Sequence, residues 1–112
     1  MTKQQKITIE AAVQAGLEQG YSLKLYGTPN ADGTRTCGSD DGYGCCLLGL
    51  LAHTMAGIPE EARSRSGDAE DTLMALGVES WSLEAGFEGW ARDEVDSESY
   101  RFGAELAARY AR

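Results

Sequence analysis

The feature that most constrains the fold is an uninterrupted apolar segment near the middle of the chain, the eight residues 45–52 (CCLLGLLA). Apolar character continues almost all round a helical projection as far as Ala56, and Gly57 follows as a helix terminator. The segment is far shorter than the ~20 apolar residues that a transmembrane helix needs. We therefore predict a buried central helix over residues 45–56 and no membrane interaction.

Helical patterns flank this segment. Before it, Thr8 is a suitable N-cap for a first helix with an apolar stripe at Ile9, Val13 and Leu17 that ends near Gly20. After it, the patterns predict a short helix from residue 59, a helix over residues 68–76, and a terminal helix over residues 97–112. Asp68 is a suitable N-cap for the helix over residues 68–76, and Ser97 or Ser99 is suitable for the terminal helix. The apolar stripe of the terminal helix consists of Phe102, Leu106 and Tyr110.

A further helix begins at Ser80 or Ser82. Gly86 and Gly89 are expected to end it early, because a glycine costs ~1 kcal/mol inside a helix. Its apolar side chains are Leu83, Phe87 and Trp90.

Residues 21–26 have the alternating pattern of a short strand, and residues 27–33 (GTPNADG) are rich in turn formers. Residues 34–37 are then the natural hairpin partner. The predicted fold is mainly α, with α+β as the alternative if this short β-hairpin near residues 21–37 forms.

The length of 112 residues predicts a single domain over residues 1–112, since one core fits a chain of this size. The polar residues 1–6 are not followed by the apolar region of a secretory signal. Three cysteines make an odd count, which favours reduced thiols over a disulfide framework. We expect a cytoplasmic protein.

The formal net charge is −8. Nearly all of the excess negative charge lies in residues 58–99, which contain twelve acidic residues and only three arginines. Affinity for nucleic acid comes largely from Lys and Arg that displace backbone counterions. An acidic surface repels phosphate, so direct binding of nucleic acid is not expected. A basic surface on another protein is the partner that such a charge favours.

Three thiols and one imidazole, on Cys37, Cys45, Cys46 and His53, are the only group that invites a chemical interpretation. They could form a Cys3His zinc site or a reactive thiol. Cys46 and His53 lie ~10 Å apart along a shared helix, so they reach one ion only if the helix begins after Cys46. Buried thiols and a core histidine are the alternative, and we expect no enzyme activity and no cofactor.

The acidic segment also contains both tryptophans of the chain. Its aromatic side chains are either core residues or partly exposed anchors in an acidic rim, the residue type that dominates protein–protein hot spots. The second interpretation predicts a surface for a basic protein partner. The candidate partner-binding residues are Trp81, Glu84, Phe87, Glu88, Trp90, Asp93 and Glu94.

The order of these features resembles that of small uncharacterised proteins of bacteria and their phages. The resemblance rests on the N-terminal helix, the aspartate-glycine turn, residues 46–51 (CLLGLL), residues 83–89 (LEAGFEG) and residues 102–106 (FGAEL). It implies a phage or mobile-element origin and a role as an inhibitor of host machinery, such as an anti-CRISPR protein. The acidic residues 58–99 predict that such an inhibitor acts as a nucleic-acid mimic on a basic protein surface. A small zinc- or thiol-dependent protein is the alternative function.

Overall fold

The computed structural model describes residues 1–25, 46–57, 66–91 and 96–111. Within these ranges the fold is mainly α, as predicted, and consists of five helices. They are α1 (Lys3–Glu18), α2 (Leu47–Thr54), α3 (Ser66–Ala75), α4 (Ser80–Glu88) and α5 (Ser97–Tyr110). None of these helices has both the length and the apolar character needed to cross a membrane.

Helix α1 begins earlier than the predicted cap at Thr8. Its N-cap is Thr2, whose hydroxyl accepts a hydrogen bond from the Gln5 backbone, while the Gln5 side chain accepts one from the Thr2 backbone. This reciprocal capping box satisfies two backbone donors and so extends the helix to Lys3. The predicted end is confirmed, because α1 stops at Glu18 and Gly20 has a positive φ of 95°.

Helix α2 is the central buried helix, as the apolar segment predicted. Its leucines, at positions 47, 48, 50 and 51, are all at most 2% exposed. Around it pack Ile9 and Val13 of α1, Leu73 of α3 and Leu83 of α4, all fully buried in one hydrophobic cluster. The core therefore draws on every part of the chain that the structure describes.

Two further predicted helix caps, those of α3 and α5, need correction. Helix α3 begins at Ser66, so Asp68 lies in its first turn instead of capping it. Helix α4 begins at Ser80, one of the two predicted starts, and its N-cap is Glu79. The N-cap of α5 is Asp96, whose carboxylate accepts hydrogen bonds from the Ser99 backbone and hydroxyl and whose pKa is lowered by them. Helix α3 therefore begins two residues before Asp68, and the cap of α5 lies one residue before Ser97.

Helices α4 and α5 pack directly on each other through two glycines. A Cβ at Gly86 would overlap the carbonyl oxygen of Tyr100 in α5, and a Cβ at Gly103 would overlap that of Leu83 in α4. Gly86 therefore lies inside α4 and does not end it, contrary to the prediction from helix propensity. Gly89, with a φ of 77°, is the C-cap.

Two predicted elements extend outside the described residues. The short helix from residue 59 lies outside them, and so does the hairpin beyond Leu25. In the part of residues 21–37 that is described, Leu23 forms an isolated parallel bridge with Ala111. This bridge joins the segment after α1 to the end of α5.

Candidate functional site

Helix α4 presents one side to solvent and the other to the core. Trp81, Glu84 and Glu88 are spaced by three and four residues, so they lie within an arc of about 60° on one side of the helix. Leu83 and Phe87 project about 60–100° away from this arc and are 0% and 2% exposed. The burial of Leu83 and Phe87 thus determines which α4 residues a partner can reach.

Trp90 lies beside Trp81 although it is outside the helix. Gly89 turns the chain at the end of α4, and the Trp90 backbone N–H then donates to the Ala85 carbonyl at 2.9 Å. The Tyr100 hydroxyl donates to the Trp90 carbonyl oxygen at 2.8 Å. The two indole rings are tilted by 43° with centroids 6.1 Å apart. Trp90 is half-buried, whereas Trp81 is 46% exposed.

The carboxylates beside the tryptophans repel each other. Partial burial raises the pKa of Glu84, and the charges of Glu70 in α3 and Glu88 in α4 raise it further. Glu70 was not among the predicted site residues, because only the packing of α3 against α4 brings it near Glu84. We refer to Trp81, Glu84, Glu88, Trp90 and Glu70 together as the acidic face.

Cys46 lies close to the same acids at the start of α2. Burial raises the pKa of its thiol, and the charges of Glu84 and Glu88 add to that effect, against a backbone hydrogen bond from Gly49 that lowers it. A helix N-terminus alone would favour the thiolate. At Cys46 burial opposes this effect, and the pKa of the thiol is raised.

The remaining predicted residues separate into two groups. Phe87 belongs to the core and not to the surface, so it is removed from the partner-binding set. Asp93 and Glu94 lie outside the described residues. Of the predicted partner-binding residues, the structure brings together Trp81, Glu84, Glu88 and Trp90, and these are the members that the acidic face retains.

The thiol and imidazole group is not assembled by the described residues. Cys37 and Cys45 lie outside them, and α2 separates Cys46 at its N-cap from His53 in its last turn. The His53 ring stacks on Tyr21, with centroids 5.5 Å apart and planes 5° from parallel. Within the described ranges, no three Cys, His, Asp or Glu side chains are placed to hold a metal ion.

Comparison with protein-family models, with curated proteins and with solved structures finds no match to this chain.

Proposed function

We propose that the protein binds a basic surface of another protein through the acidic face. The observation that carries this proposal is the exposure of Trp81 at 46% on the side of α4 that also bears Glu84 and Glu88. Burial of a large aromatic side chain in the core is favourable, and Phe87 of the same helix is buried in this way. Trp81 instead remains exposed to solvent. Tryptophan at the centre of a polar rim is typical of the residues that contribute most to protein–protein affinity.

Electrostatics supports the same proposal. Partial burial raises the pKa of Glu84, and the nearby charges of Glu70 and Glu88 raise it further. Lysines or arginines of a partner would stabilise the ionised Glu84, and complementary charge also accelerates the encounter of two proteins. The acidic face therefore favours a cationic partner over a neutral one.

The consequence for the partner would be inhibition. A basic protein surface that normally holds nucleic acid presents Lys and Arg to phosphates, and the carboxylates of the acidic face would occupy the same side chains. The protein would then act as a mimic of nucleic-acid charge. A phage-derived inhibitor of host machinery, including an anti-CRISPR protein, is the biological role consistent with this chemistry.

The test begins with affinity purification from the native host and mass spectrometry of the proteins that co-purify. Association rates with the captured partner are then measured at two ionic strengths. We expect Glu84→Gln with Glu88→Gln to slow association roughly tenfold at low salt, and salt to slow the wild type in the same direction. Trp81→Ala should weaken affinity by ~2 kcal/mol or more.

A charge-matched control separates this effect from net charge. Glu18→Gln with Asp71→Asn removes the same number of negative charges from exposed positions on α1 and α3. The control should associate at nearly the wild-type rate. Equal slowing by both double variants, or no slowing by either, would show that the acidic face does not contact the partner.

A further inference from the structure

A second surface, which carries lysines where the acidic face carries carboxylates, lies between α1 and α5. The two helices form the walls of an open groove of about 420 Å³. Ile7 and Ala11 of α1 form part of its floor together with Phe102 of α5, and Ile7 is 50% exposed. An apolar floor open to solvent in this way is a candidate docking surface.

The rim of this groove is cationic on the α1 side. Lys3 and Lys6 line it, and the Lys6 ammonium lies 5.9 Å from the centroid of the Phe102 ring. Among the described residues, no carboxylate forms an ion pair with either lysine. Arg109 on the α5 wall pairs with Glu10 of α1 at 2.7 Å, so Glu105 is the remaining carboxylate of the groove. Glu98 lines a neighbouring cavity together with Lys6 and pairs with the N-terminal ammonium.

The position of the lysines in α1 is unfavourable for the helix itself. Both lie in its first two turns, near the positive end of the helix dipole, and the first turn contains no acidic residue. A cation there destabilises a helix slightly, whereas an acid would stabilise it. An anion bound in the groove would offset this cost.

Hydrogen bonds between α1 and α5 hold the groove in shape. Glu10 accepts hydrogen bonds from Arg109 at 2.7 Å and from the Tyr110 hydroxyl at 3.1 Å. Gln14 donates to the same hydroxyl at 3.1 Å. The groove is therefore formed before any partner arrives, which lowers the entropy cost of docking.

The acidic face of this same chain has the complementary pattern. Along α4, Glu88 lies seven residues from Trp81, about 10 Å at 1.5 Å per residue. Along α1, Lys3 lies eight residues from Ala11, about 12 Å on the same scale. Two helices running in opposite directions can thus place the indole over the apolar floor and the carboxylates over the lysines.

We propose that the groove binds the acidic face of a second copy of this chain. Trp81 of the second copy packs on the apolar floor, its Glu84 lies beside Lys6 and its Glu88 lies beside Lys3. The proposal rests on the proposed function in one respect, since both use the acidic face as a docking surface. The contact places carboxylates of one copy beside the helix-terminal lysines of the other.

The test is a charge exchange followed by sedimentation equilibrium over a range of concentrations. One variant carries Lys3→Glu and Lys6→Glu, and the other carries Glu84→Lys and Glu88→Lys. Wild type should rise above its monomer mass of 12.0 kDa with concentration, and each variant alone should dissociate about tenfold or more readily. A mixture of the two variants should regain association, because it restores opposite charges at the contact.

Matched controls exclude effects of net charge and of folding. Lys3→Gln with Lys6→Gln lowers the net charge by two, and so does Gln4→Glu with Gln19→Glu at exposed positions outside the groove. Only the lysine pair should weaken association. Circular dichroism melts of every variant establish that each is folded before its mass is measured.

Three outcomes would overturn the second-copy proposal: a wild type that stays monomeric at all concentrations, variants that associate like wild type, or a mixture that stays monomeric. A monomeric wild type whose foreign partner still requires Glu84 and Glu88 would overturn this proposal alone and leave the proposed function standing. If copies of the chain associate but the foreign partner binds equally well without Glu84 and Glu88, the proposed function is overturned and the second-copy proposal stands.

Discussion

Replacing Gly86 by alanine tests the contact between α4 and α5. An alanine Cβ at this position would overlap the Tyr100 carbonyl oxygen and would lie 2.7 Å from its carbonyl carbon and 2.9 Å from its Cα. Ordinary contacts between carbon atoms are about 3.5–4.0 Å. The neighbouring atoms are backbone and cannot rotate away, so α5 must move by about 1 Å to accept the methyl group.

The expected cost follows from two opposing effects. Overpacking a tight contact costs about 1–3 kcal/mol, and a rigid backbone neighbour places this site at the upper end of that range. Alanine in place of glycine contributes about 1 kcal/mol in the other direction through helix propensity. The net loss is about 2 kcal/mol, which for a domain of this size lowers Tm by about 8 °C.

Thermal melts followed by circular dichroism measure this effect, and Gly67→Ala is the matched control. Gly67 lies in the first turn of α3, and none of the described residues has an atom within 4 Å of an added Cβ, so its replacement should leave Tm unchanged or raise it. If Gly86→Ala behaved like Gly67→Ala, the close approach of α4 and α5 would be refuted.

Three further outcomes are expected. Leu50→Ala should destabilise by ~2–5 kcal/mol because the side chain is fully buried, whereas Met74→Ala, 73% exposed before truncation, should be nearly neutral in a urea titration. Elemental analysis should find no stoichiometric zinc, since Cys46 and His53 lie at opposite ends of α2; one zinc per chain would contradict this. The raised pKa of Glu84 means that the folded protein binds its proton more tightly, so this group lowers stability as pH rises through that pKa. Glu84→Gln should therefore melt higher than wild type at pH 7 and lose that advantage near pH 4, and a variant less stable at pH 7 would show that Glu84 stabilises the fold.

Sequence patterns predicted the number and order of the described helices better than their starts. The leucines of α2 could be assigned to the core because eight apolar residues in succession leave no polar side for solvent. Helix starts were misplaced by up to a turn or more, since several polar residues near each start can serve as caps. Only the hydrogen bonds of Thr2 and Asp96 decide which of them does so.

The sequence predicted which segment of the chain contains the candidate site, but not which side chains of that segment share one surface. Acidic residues around two tryptophans were evident from the composition of residues 58–99, because charge and residue type need no coordinates. Spacing along α4 could have separated Phe87 from Trp81, yet it could not say which side faced the core.

The amino-acid sequence thus determined the helical class, the central helix and the sign of the surface charge, all of which depend on local composition and periodicity. The packing of helices distant in the chain decided the rest. It placed Gly86 inside α4 against α5, brought Glu70 of α3 toward Glu84, and left Trp81 exposed while Phe87 was buried. These are contacts between separate elements, and their free energies depend on distances that no single segment of the sequence contains.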